Sequence, residues 1–177
     1  SLLETIVFGR RAGIRAGEYA RTVAPRALTT DQLATEQRRV QRLLAQEGPI
    51  RAWQIREELG QLMSLNLGLV RTHESMSAAL SALTALAHRA AFVTVQDKGQ
   101  VFNTDLLQAF ELQSLLDVAE TIVSSALARQ ESRGAHYRSD FPKRDDTQWL
   151  KHSVARRTPQ GPALTYEPVT ITRFQPK

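Results

Sequence analysis

The residues with the most chemistry in them lie close together in the chain. Between positions 129 and 144 come Arg129, Glu131, Ser132, Arg133, His136, Tyr137, Arg138, Asp140, Lys143 and Arg144. Two readings compete for such a cluster. An imidazole flanked by guanidinium groups can bind and protonate an anionic substrate. Alternatively, arginine forks can hold carboxylates and backbone carbonyls in a latch, a use that their bidentate geometry favours. The residues alone favour the latch, because no nucleophile or partner base completes a catalytic set.

Other chemistry is sparse. The four histidines, His73, His88, His136 and His152, form no close metal-ligand pair, so no metal site is expected. The absence of cysteine removes disulfides, thiolate catalysis and cysteine-held iron–sulfur clusters. There is no glycine-rich phosphate loop and no GxSxG elbow. Gly9, Gly13 and Gly17 fall inside a helical pattern rather than opening one.

The cluster needs a scaffold, and the pattern of apolar residues predicts a helical one. Residues 2 to 22 read as a helix whose glycines at four-residue spacing leave one bare face. Thr29 and Thr30 precede a second helix, to about Gln46, that carries a stripe of Leu33, Val40, Leu43 and Leu44. Pro49 opens a third, to about Leu67, with Ile50, Trp53, Leu59, Leu62 and Met63 turned inward. Thr72 is a good N-cap for residues 73 to 91, and Asn103 for the longest helix, from Thr104 to about residue 130. That helix is apolar on more than one face, as a central member is. After Arg133 the chain is expected to be irregular to Pro142. A short helix then runs from about Asp145 to Ala155, and β-prone stretches at 164–166 and 169–171 follow. The predicted fold class is mainly α: an antiparallel three-helix bundle with flanking helices and a small C-terminal β element. Residues 1–26 form a last helix and linker, 27–133 the bundle, and 134–177 a basic irregular segment with the β tail. Of these, the first helix and residues 134 to 142 are expected to be the least ordered.

With 177 residues, 42% of them hydrophobic and 23% charged, the chain can bury a core without staples. Its charge of +5 is uneven: +3 over residues 1–26, −3 over 27–128 and +4 over 129–157. A nucleic-acid reader would carry a basic stripe interleaved with aromatics, and none is present, so nucleic acid is not an expected partner. No run of 18 apolar residues or charged-then-apolar leader is found. The chain begins at Ser1 within helix-like sequence and without Met, and reads as a segment of something longer.

The stretch from Ser125 to Pro142, which includes Glu131-Ser132-Arg133-Gly134-Ala135-His136, and its continuation from Arg144 to His152 resemble the C-terminal region of the flavoprotein subunit of succinate dehydrogenase and fumarate reductase. Residues 1–13 resemble the helix that closes the family's FAD-binding domain. Residues 97–106 resemble the opening of its long helix, and 164–170 its tail.

The resemblance implies a parent that passes a hydride between the succinate methylene and FAD, with electrons going to an iron–sulfur subunit. It implies that the catalytic centre lies upstream, so that no catalytic residue is assigned here and the segment alone is inactive. It places Ser1 and Leu2 at family positions that contact FAD through a helix N-terminus, where exposed N–H groups stabilise charge on the reduced ring. Two contacts cannot hold a flavin, so none is expected bound to this segment. Arg129, Glu131, Arg133, Gly134, His136 and Arg138 become an interdomain latch. The implied partners are the FAD-binding domain of the same chain, the iron–sulfur subunit and, through it, membrane anchor subunits. The implied location is peripheral, on the cytoplasmic side of the inner membrane. The alternatives are the C-terminal domain of L-aspartate oxidase, which shares a similar Glu-Ser-Arg-Gly segment, and a non-enzymatic helical adaptor.

Overall fold

The computed structural model describes residues 2–27, 30–99 and 101–172. They fall into two compact units, Ser1–Arg39 and Val40–Lys177. The first contains α1 (Leu2–Thr22) and the opening turns of α2 (Thr30–Ala45). No residue of α1 is buried. From Val40 onward α2 belongs to the second unit, where Leu43 joins the core; Leu33, expected in the same stripe, is exposed.

The second unit is built on α3 (Ala52–Asn66), α4 (His73–Ala90) and α5 (Thr104–Ala128), each of which packs on the other two. Buried positions recur every three or four residues: Ala52, Ile55 and Leu59 on α3, then Met76, Ala79, Leu83 and Leu86 on α4. On α5 they are Ala109, Leu112, Leu116, Ala119, Val123 and Ala126. This alternation of three and four is the spacing by which a helix presents one seam to its neighbours in a bundle. Trp53 departs from expectation and is 55% exposed. It sits next to Ala52, and one residue turns a helix through about 100°, which carries the ring off the seam.

The predicted caps form. Thr72 Oγ1 accepts from the Ser75 amide at 3.1 Å, and Asn103 Oδ1 accepts from the Leu106 amide at 2.8 Å. Pro49 does not open α3, however. Residues 49–51 stay outside the helix because the Ile50 carbonyl accepts from the Thr94 amide at 2.9 Å, so the extended Arg51 becomes the N-cap. Val93, Thr94 and Val95 are all buried without belonging to helix or strand.

The largest correction lies at the C-terminal end. No helix spans residues 145–155. A single turn forms on Asp145, whose Oδ1 accepts from the Thr147 and Gln148 amides at 2.9 Å each. The chain then enters strand β1 (Lys151–Thr158), paired antiparallel with β2 (Gly161–Pro168). The helical start fails to propagate because the Arg129 guanidinium takes the carbonyls of Trp149 and Lys151, at 2.8 and 2.6 Å. The paired strands are therefore not 164–166 with 169–171. Pro159 and Gln160 form the reversal between Thr158 and Gly161. Gly161, at φ +102°, suits it: an added Cβ there would meet Glu120 Oε1 at 2.9 Å.

Candidate functional site

The Arg129–Arg144 cluster begins where α5 ends. Arg129 caps that helix in extended conformation, two residues before the fully buried Glu131. A carboxylate taken wholly out of water must be paired and hydrogen-bonded. Glu131 Oε1 accepts from Arg129 Nη1 at 2.6 Å and Arg133 Nε at 2.8 Å; Oε2 accepts from Arg133 Nη2 at 3.0 Å and the Asp145 amide at 2.8 Å. Burial alone would raise its pKa. The hydrogen bonds from Arg133, the Asp145 amide and Arg129 outweigh burial and hold the group below the usual carboxylate range. Arg133 also reaches Asp146 Oδ1 at 2.5 Å and is pushed above its ordinary value by both carboxylates.

Arg138, fully buried, forms a second centre. Its Nη1 donates to the carbonyls of Leu127 and Arg129, each at 2.9 Å, so the cation sits on the C-terminus of α5 where the helix dipole favours it. Nε and Nη2 form a fork onto Asp140 at 3.0 and 2.6 Å, and the guanidinium lies 4.6 Å from the Phe141 ring centroid. The Asp140 carboxyl is held down to about 2 by that fork. Its Oδ2 also accepts from the His73 amide at 2.9 Å, joining the cluster to the start of α4.

The sequence-derived latch residues therefore come together, and the partners of their forks lie within the second unit. Arg129 ties α5 to the start of β1 and lies 5.1 Å from the Trp149 ring centroid. Gly134, at φ +57°, makes the reversal that lets Arg133 and His136 exchange backbone hydrogen bonds of 2.8 and 3.0 Å. His136 Nδ1 lies 3.0 Å from Arg71 Nη1. Burial, countered in part by the Arg129 carbonyl and reinforced by the Arg71, Arg138 and Arg129 charges, lowers its pKa. Its neighbours are arginines, and both ring nitrogens face groups of the latch itself, Arg71 Nη1 and the Arg129 carbonyl.

Arg71, Asp145 and Asp146 join the network without any signal in the sequence, and Asp140, part of the 129–144 cluster, had no assigned partner. Arg71 lies 65 residues from His136, and no local pattern links them. The three aspartates stood in plain view, but each needed a known spatial partner. The pair Trp149 and Tyr166, edge to face at 5.6 Å with Lys151 Nζ 4.6 and 4.2 Å from their ring centroids, likewise depends on strand register.

Of the two residues expected to contact FAD, Ser1 lies outside the described residues. Leu2 is the first residue of α1 and is 77% exposed. The first amides of a helix have no intrahelical acceptor and can face an electron-rich ring. That one feature fits a flavin contact, and it is a small fraction of a flavin site. Among the described residues no group of three or more metal-ligating side chains is found.

The family model for the fumarate reductase flavoprotein C-terminal region matches residues 56–177. The chain belongs to that family. It is 40% identical to the fumarate reductase flavoprotein subunit of Haemophilus influenzae, over 99% of this chain and 30% of that one. It is 33% identical to the succinate dehydrogenase flavoprotein subunit of Rickettsia conorii, over 97% of this chain and 29% of that one. The solved quinol fumarate reductase of Escherichia coli superposes with a TM-score of 0.93 at 40% identity, over all of this chain and 31% of the other. The chain thus spans about a third of the length of its relatives. Membership of the family sets aside the free-standing adaptor. The L-aspartate oxidase alternative gains nothing from these relatives.

Proposed function

We propose that this chain serves as the C-terminal helical domain of a flavoprotein subunit that interconverts succinate and fumarate. In that reading a hydride passes between the succinate methylene and FAD, and electrons leave through an iron–sulfur subunit. The observation that carries it is coverage: 99% of this chain aligns with 30% of a fumarate reductase flavoprotein subunit. The domain's own task is structural. Its densest set of functional groups is spent on internal pairing, so it offers a braced surface to the flavin-binding part of the same polypeptide. Residues 1–26 belong to that part as its last helix. Residues 27–133 form the bundle and 134–177 the latch and tail. The α1 N-terminus, with Leu2 at its first position, would supply amides toward the flavin ring, and FAD would be held in the full-length subunit.

The partners in this reading are the flavin domain, the iron–sulfur subunit and, through it, membrane anchors. The subunit would be peripheral, on the cytoplasmic face. None of the helices, among the described residues, is long and apolar enough to cross a membrane. Flavin titration of the 177-residue chain checks the division of labour. The expected outcome is no stoichiometric FAD binding and no succinate oxidation with an artificial acceptor. Either activity in the isolated chain would overturn the structural role.

A further inference from the structure

His136 is held in one protonation state by what surrounds it. A guanidinium can only donate hydrogen bonds, so the 3.0 Å contact from Arg71 Nη1 requires a lone pair on Nδ1. The imidazole is then neutral, with its proton on Nε2, which points to the Arg129 carbonyl at 3.5 Å. Arg71 faces the ring from the connection between α3 and α4, Arg129 from the end of α5 and Arg138 from two residues on, while Arg133 meets His136 through backbone alone and turns its guanidinium to Glu131 and Asp146. The nearby carboxylates are committed elsewhere, Glu131 to Arg129 and Arg133 and Asp140 to Arg138 and the His73 amide. Neither ring nitrogen is bonded to a carboxylate.

The Arg71–His136 bond also closes a joint. Beside it the Arg71 amide donates to the Tyr137 carbonyl at 3.0 Å, and the Ser139 amide donates to the Arg71 carbonyl at 3.0 Å. These two bonds are the parallel bridge by which the irregular segment meets the helical bundle.

We propose that His136 is a proton-operated pin, closed while its Nδ1 accepts from Arg71 and released when that nitrogen is protonated. Protonation removes the acceptor lone pair, strands Arg71 Nη1 and sets a new cation among Arg71, Arg129 and Arg138. Arg71 Nε keeps its carbonyl acceptors, Leu67 and Gly68 at 3.2 Å each, so the arginine stays on the bundle side while the 136–139 strand of the joint loosens. The direction of the pH response follows from the neighbours. Burial and the arginines depress the folded-state pKa, so the unfolded chain takes up the proton first. Stability is therefore intact above about pH 6.5 and falls as the pH drops below it. Asp140, held at about 2, stays ionised through that window. The inference concerns this chain's own stability and stands apart from its assignment to a flavoprotein.

The test is NMR on the 177-residue chain and on His136→Gln, whose amide can accept from Arg71 and donate to Arg129 without titrating. Between about pH 7.5 and about pH 5, the protection factors of the Arg71 and Ser139 amides should fall about tenfold per unit of pKa depression in the wild type. They should hold steady in His136→Gln. Imidazole nitrogen shifts should report the Nε2–H tautomer at the upper pH, and the ring should titrate below 6.5. An equal fall in both proteins, an Nδ1–H tautomer, or titration at or above 6.5 would overturn the pin. Should His136→Gln not fold, the wild-type titration and tautomer alone decide it.

Discussion

Helix α1 and the segment from Arg129 to Trp149 invert the usual link between regular structure and packing. The first is 21 residues of unbroken helix with nothing buried, its Leu3, Ile6, Phe8 and Ile14 all more than half exposed. The second is mostly turns and bends, yet it holds a fully buried glutamate and a fully buried arginine. Backbone hydrogen bonds complete a helix within itself and need no neighbour. Irregular backbone leaves its polar groups to be met by side chains, and here arginine forks meet them. Regularity measures local self-sufficiency, whereas burial measures how much of the rest of the molecule an element depends on.

The sharpest way to break this contrast is Arg138→Ala. It leaves Asp140 without its fork and two carbonyls at the end of α5 without a donor, and should cost about 3–5 kcal/mol in denaturant unfolding of the second unit. A loss near zero would mean that water replaces the guanidinium and that the segment is not truly closed. A smaller effect should come from acid. The Glu131 and Asp140 carboxyls are depressed in the folded state, so their stabilisation is complete above about pH 4.5 and is lost as the pH falls toward about 2. Thermal melts should drop through that window, and more steeply in wild type than in Asp140→Asn. The smallest effects oppose each other. Gly134→Ala must force φ +57° on a residue with a Cβ, costing about 1–2 kcal/mol although the space is open. Gly13→Ala in α1 should instead raise helicity by roughly 0.5–1 kcal/mol and leave unfolding of the second unit unchanged. Circular dichroism and denaturant curves on the two variants separate the regions directly.

The elements legible in advance were those with local causes. Thr72 and Asn103 cap their helices because the acceptor and the amide it serves are three residues apart. The seam of α4 follows from apolar spacing alone, whereas α5 is apolar on more than one face and leaves Leu107, Val118 and Ile122 of that surplus exposed. Residues 134–142, expected to be among the least ordered, are instead tied by side-chain hydrogen bonds that no local pattern announces. A stretch rich in Arg, Asp and Ser looks solvated until one sees that Arg138 reaches back over Leu127 and Ser132 Oγ accepts from the Arg138 amide at 2.9 Å. The helix expected at 145–155 failed similarly. Asp145 does initiate a turn, but a guanidinium 20 residues upstream claims the Trp149 carbonyl.

The amino-acid sequence by itself determined α1, α2, α4 and α5, the Thr72 and Asn103 caps and the family, since each rests on spacing within one segment or on a linear motif. Tertiary structure alone decided which arginine meets which carboxylate, that Arg71 and His136 touch, and that residues 151–168 become a hairpin. Those outcomes depend on groups up to 65 residues apart competing for the same hydrogen bonds. Only the folded chain sets the distances that decide the competition.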